Sequence, residues 1–99
     1  MIVTLFRNRL KPEAGAEYTQ WATRMSELAR TMPGHVSHKT FVAEDGERVT
    51  VVEFESEEAQ RAWARHPEHA VAQQKGRADF YSEYRLQTCQ VLRDRRFPA

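Results

Sequence analysis

Seven apolar residues, Tyr18, Trp21, Ala22, Met25, Leu28, Ala29 and Met32, recur at steps of 3, 1, 3, 3, 1 and 3. That spacing draws one apolar stripe along an α-helix and leaves Glu17, Gln20, Arg24, Glu27 and Arg30 around the other sides. Pro33-Gly34 stops the helix, since proline cannot continue the ladder and glycine takes the backbone turn that follows it. A striped helix needs an apolar surface to lie on, so the segments on either side must supply one.

Those segments read as strands. Ile2 to Leu10 is rich in strand formers and is closed by Lys11-Pro12. Val36 to Glu44 and Arg48 to Glu55 form two more strands around Glu44-Asp45-Gly46-Glu47, where the Asp-Gly pair suits the positive φ angles of a tight hairpin. Ser56 is the expected N-cap of a second helix that opens with Glu57 and Glu58 and carries Ala59, Ala62 and Trp63. His66-Pro67 interrupts it, and a further helical stretch from Glu68 to Lys75 ends at Gly76. After a connector from Arg77 to Phe80, Tyr81 to Leu92 makes the last strand. The order β-α-β-β-α-β predicts an α+β, ferredoxin-like domain: a four-stranded antiparallel sheet with two helices on one face. No linker or repeat divides residues 1–99, so the chain is expected to be one domain.

Two helices cover one face only. Ile2, Phe6, Val52, Phe54 and Leu86 fall on one face, yet Val3, Leu5, Val49, Val51, Cys89 and Val91 make the other apolar too. A 99-residue chain has no element left to cover it. Homodimerisation, sheet against sheet, is therefore expected.

Charge narrows the partners. Fifteen basic and fourteen acidic side chains leave a net charge of +1, and the small cluster Arg93, Arg95 and Arg96 contains Asp94. Neither nucleic acid nor an anionic membrane is an expected partner. Met1 to Phe6 is too short and too interrupted for a signal-peptide core or a membrane span, so the expected compartment is the cytoplasm. The lone Cys89 makes no internal disulfide and reads as a small hydrophobe in a strand. Glycines at positions 15, 34, 46 and 76 form no phosphate or dinucleotide fingerprint. Redox chemistry would then need a bound organic molecule, haem, or oxygen itself.

The histidines suggest no metal site. His66 and His69 lie three apart with Pro67 between them, while His35 and His38, three apart in a strand, belong on opposite faces. They are expected to cap helix ends or meet solvent. The aromatics Trp21, Trp63, Phe80, Tyr81 and Tyr84 suggest instead an apolar pocket with a few polar groups. Trp21 reads first as core, and Trp63 as either core or pocket wall. Asn8, in step with Ile2, Thr4 and Phe6, would place an amide where Trp63 approaches.

The stretches Phe6-Arg7-Asn8-Arg9-Leu10, Trp63-Ala64-Arg65-His66-Pro67-Glu68-His69, Ala72-Gln73-Gln74-Lys75-Gly76-Arg77 and Phe80-Tyr81-Ser82-Glu83-Tyr84, with the element order, resemble the antibiotic biosynthesis monooxygenase family. The resemblance spans nearly the whole chain and implies the dimeric α/β barrel fold. It implies a monooxygenase that needs no cofactor and oxidises a phenol- or quinol-like aromatic with molecular oxygen. The corresponding catalytic residues would be Asn8 and Trp63 as hydrogen-bond donors, with Tyr81 or His66 carrying the proton; Phe6, Trp21, Tyr84 and Arg85 would bind substrate. Haem-degrading members offer a second reading, with an Asn on the first strand, a Trp on the second helix and a His beyond it as iron ligand. Ten residues after Trp63 this chain has Gln73, a poor iron ligand. A third reading is a dimeric protein that binds an aromatic metabolite without turning it over.

Overall fold

A computed structural model describes residues 1–99. The elements run β1 (Ile2–Leu10), α1 (Gly15–Arg30), β2 (His35–Val42), β3 (Arg48–Phe54), α2 (Glu57–Arg65), α3 (Pro67–Lys75), a π-helical turn (Gly76–Phe80) and β4 (Tyr81–Gln90). The four strands lie in the order β2-β3-β1-β4, each antiparallel to its neighbour. Both helical crossovers therefore skip over one intervening strand, the ferredoxin-like arrangement.

The interruption expected at His66-Pro67 divides the second helical region into two helices, α2 and α3. Pro67 cannot donate to the turn before it, so α2 ends at Arg65 and α3 starts afresh with Pro67 in its first turn. The side chain of His66 caps the new helix by accepting from the Glu68 N–H at 3.2 Å. Ser56 caps α2 as anticipated, accepting from the Ala59 N–H at 3.2 Å.

The β2–β3 hairpin differs from expectation in its turn. Only Gly46 has positive φ, at 89°, and Asp45 stays in the ordinary region. The Gly46 N–H donates to the Ala43 carbonyl at 3.0 Å, and Asp45 serves by accepting the Glu47 N–H at 3.0 Å. The start of β2 differs too. His35 pairs with Phe54 while Ser37 pairs with Glu53, so a β-bulge absorbs Val36 as a surplus residue. His35 and His38 consequently share a face, contrary to strict alternation.

The core lies between the helices and one end of the sheet. Phe54, 1% exposed, packs with Ala29 and Trp63, and Met25, Leu28, Ala59, Ile2 and Val52 close around them. Gly34, with φ 85°, lets the α1–β2 loop touch α2: a Cβ there would lie 2.5 Å from the Cβ of Ala59. The opposite sheet face carries Val3, Leu5, Val49 and Val51, all partly buried, beside exposed Phe41. Arg7 grips Glu47 through two 3.1 Å bonds on that face, and Arg9 bonds Asp45 at 2.9 Å and Glu83 at 3.0 Å.

Candidate functional site

Away from Phe54 the helix layer does not close on the sheet, and a cavity of about 450 Å³ opens between them. That volume is ordinary for a small organic ligand. Its lining includes Phe6, Trp21, Trp63, Tyr81 and Tyr84, all expected at a binding site.

At the core end, Trp63 is 8% exposed and stacks on His69, with ring centroids 4.0 Å apart and planes 14° apart. The chain turn at Pro67 folds His69 back under Trp63, where its Nδ1 lies 2.9 Å from the Trp63 carbonyl oxygen. Only an Nδ1–H can donate to a carbonyl, so the Nε2 lone pair remains available. Burial pushes the imidazole below its usual range; the bond to the Trp63 carbonyl opposes this, and nearby His66 adds to it. His69 is neutral at pH 7.

At the far end the rings are more numerous, and several carry a hydroxyl. Tyr81 follows the π-helical turn, and its ring lies so close over Gly76 that a Cβ there would be 2.5 Å from it. Phe6 meets Tyr81 edge to face at 5.2 Å, and Tyr18 approaches Phe80 at 5.6 Å and Tyr81 at 6.0 Å. The Arg48 guanidinium sits over the Tyr18 ring at 5.6 Å. Burial raises the Tyr81 phenol well above its normal range, Tyr18 adds to this and Arg48 opposes it. Tyr81 therefore stays protonated and able to donate. Asn8 pairs with Arg48 across β1–β3 and with Tyr84 across β1–β4, and is only 3% exposed. Asn8 Oδ1 and Arg48 Nε are both buried without a hydrogen-bond partner.

Along the cavity wall, Ser26 Oγ lies 2.6 Å from His38 Nε2, and His38 Nδ1 lies 2.8 Å from His35 Nε2. The bulge at Val36 makes this chain of three possible. Burial lowers the affinity of His38 for a proton, with the charges of His35 and Arg30 acting in the same direction; burial and Arg30 do the same to His35.

Three expectations about placement change. Asn8 and Trp63 are not brought together: Trp63 packs with Phe54, which pairs with Ile2, and six residues of strand, about 20 Å, separate Ile2 from Asn8. Asn8 is outside the cavity lining and borders a second cleft beside Glu83 and Tyr84. His66 caps α3 and is outside the cavity lining. Arg85 pairs with Arg7 on the opposite sheet face, exposed and away from the cavity. Conversely, Tyr18, Ser26, His38, Arg48, His69 and Arg77 line the cavity without having been singled out for it. Arg48 was legible, because strict alternation from Phe54 through Val52 and Thr50 places it inward. His38 was not, because no rule of alternation anticipates the bulge. No three His, Cys, Asp or Glu side chains lie close enough to hold a metal ion, and no helix is long and apolar enough to cross a membrane.

A ferredoxin-like sheet that holds its helices apart around an aromatic cavity defines an α+β domain with an internal cleft. The chain belongs to the antibiotic biosynthesis monooxygenase family, whose model matches residues 1–75. It is 34% identical over 88 residues to the uncharacterized protein YqjZ of Bacillus subtilis (strain 168), covering 89% of this chain and 77% of that protein. Among solved structures, Rv0793 from Mycobacterium tuberculosis is similar with a TM-score of 0.83 at 16% identity, covering 94% of this chain and 96% of that one. A mutant of SnoaB, a cofactor-independent oxygenase from Streptomyces nogalater, gives a TM-score of 0.81 at 17% identity, covering 99% and 97%. These two likenesses establish the shared fold.

Proposed function

We propose that this protein is a monooxygenase that needs no cofactor and oxidises a small phenol- or quinol-like aromatic with molecular oxygen. The observation that carries the reading is the aromatic cavity with Arg48 and a protonated Tyr81 at one end and the Ser26–His38–His35 chain on its wall. Family membership and the likeness to SnoaB support it.

The reaction balances without a reductant. A phenol and one O2 give a quinone and one water: a ring C–H becomes C=O, and the substrate supplies all four electrons that oxygen accepts. The phenol must first lose its proton so that the electron-rich anion can reduce oxygen. Ser26 takes that proton while passing its own to His38 Nε2, and His38 passes its Nδ1 proton to His35. Arg48 holds the negative charge that the bound substrate carries. Tyr81 donates to the reduced oxygen, Asn8 supports Arg48 from the neighbouring strand without lining the cavity, and Trp63, Phe6, Trp21 and Tyr84 wall the ring in. The earlier roles of His66 and Arg85 pass to His38 and Arg48. The apolar outer sheet face is the surface of a homodimer; light scattering should give twice the 11.6 kDa chain mass.

Oxygen uptake with phenols whose para carbon bears hydrogen, such as 1-naphthol, tests the reading, comparing the wild type with Asn8→Ala and Trp63→Phe and adding no flavin or metal. One O2 consumed per quinone formed with no peroxide released, reduced at least tenfold in a variant, supports it. Binding without uptake would assign the protein to the non-catalytic class. For haem, His69 is the one imidazole on α3 whose Nε2 has no protein partner, whereas Gln73 occupies the expected ligand position. Haemin titration should leave the Soret band unshifted; a shift abolished by His69→Ala would turn the reading to haem.

A further inference from the structure

The cavity is lined by two arginines, two histidines and three tyrosines, and by no aspartate or glutamate. Arg77 is exposed and can be neutralised by solvent ions. Arg48 is different. It takes part in none of the ion pairs that engage Arg7, Arg9, Arg24 and Arg61, and its Nε has no acceptor although fully buried. A guanidinium remains charged at any ordinary pH, and this one is half-buried on the cavity wall with no carboxylate beside it. Its two terminal nitrogens make no hydrogen bond within the chain, and together they form a fork of two parallel donors, which fits the two oxygens of a carboxylate.

The surroundings of that fork are aromatic. Tyr18 lies against the guanidinium, and Phe6 packs with Tyr81 and with Tyr84, whose rings are 5.2 and 5.7 Å from it. The neutral imidazole of His38 and the protonated phenol of Tyr81 add no negative charge to compete for Arg48. We propose that the cavity selects a planar aromatic acid, with its anionic oxygens on the Arg48 fork and its ring between the aromatic walls. This names the substrate class of the proposed oxygenase and rests on that reading for the anion being a substrate. Phenolate shares the anionic-oxygen chemistry, but the double donor favours carboxylate.

Binding of three probes to the full chain, followed by tryptophan fluorescence and calorimetry, tests the proposal with no oxygen step involved. 2-Naphthoate should bind at least tenfold more tightly than 2-naphthamide, as a charge-assisted pair replaces a neutral contact. Arg48→Met should weaken 2-naphthoate tenfold or more and leave 2-naphthamide within threefold; Arg48→Lys should fall between. Arg77→Gln should leave both within threefold. 2-Naphthol binding with the absorbance of its anion would keep the anion site and identify phenolate as the source, whereas binding no tighter than 2-naphthamide supports carboxylate. Equal affinity for naphthoate and naphthamide in the wild type, or no binding of either, overturns the proposal even if Arg48→Met fails to fold. So does a loss of naphthoate on Arg77→Gln with none on Arg48→Met or Arg48→Lys. Selective binding without oxygen uptake would leave this inference standing and remove the oxygenase reading; oxygen uptake on neutral substrates with no such selectivity would do the reverse.

Discussion

The two ends of the helix–sheet layer are built from the same α1 and the same β1–β3 pair, yet one is packed and the other open. Near Phe54 the helices present Ala29 and Ala59, and the loop presents Gly34, so backbones approach closely and Phe54 and Trp63 fill what remains. Near Arg48, α1 presents Tyr18 and Trp21, and β4 begins with Tyr81. Large rings meeting edge to face hold the layers apart. A gradient of side-chain size along one helix thus decides where the core stops and the cavity starts.

The strongest way to break this comparison is to truncate a ring at each end. Phe54→Ala should cost about 3–5 kcal/mol in urea unfolding, the usual loss for a fully packed aromatic, and Phe6→Ala roughly half as much or less because it already borders open space. Equal losses would show that the open end is as well packed as the closed one. Close approach itself is tested by Gly34→Ala, which combines a positive φ with a 2.5 Å clash on Ala59 and should cost about 2 kcal/mol or more. Gly15→Ala has positive φ but no neighbour within 4 Å, and should cost about 1 kcal/mol.

Acid should act on the cavity walls. His35, His38 and His69 all bind protons less readily folded than unfolded. Below the usual histidine value of 6.5 the unfolded chain takes up protons that the folded chain refuses, so stability is fully present above that pH and falls as pH drops through it. The slope due to any one of them cannot exceed about 1.4 kcal/mol per pH unit. Thermal melts between pH 7 and 5 should show the decline, and His69→Gln should flatten it in part; an unchanged slope would mean that His69 does not contribute. The smallest effect is expected at Arg48→Met. Removing an unpaired cation should alter stability by no more than about 1 kcal/mol, with the sign free to favour the variant. A large loss would show that Arg48 supports the fold rather than a ligand.

Much of the fold was legible because periodicity is a local property. The α1 stripe, the Ser56 cap and the break at Pro67 each depend on neighbours in the chain, and each appears as anticipated. The ring wall of the cavity was legible as an aromatic inventory for the same reason. What was not legible depends on distance along the strands and on irregularity. Asn8 points to the helix side of the sheet, but it lies at the opposite end of β1 from the Ile2–Phe54 pair beside which Trp63 packs, which residue type does not reveal. His69 reaches Trp63 only because the chain turns at Pro67. Arg85 has the chemistry of an anion binder, but alternation in β4 sends it to the wrong side of the sheet.

The surplus residue at Val36 has a consequence for how relatives of this chain are compared. In a regular strand, two histidines face the same way when one residue separates them; here two residues separate them and the bulge cancels the difference. A homologue lacking that position would present the same imidazole pair from a spacing of two. Alignments that demand the three-residue interval would score the pair as lost where the facing groups persist. Conversely, a homologue that keeps the interval but pairs without the bulge would retain both letters and lose the Ser26–His38–His35 path.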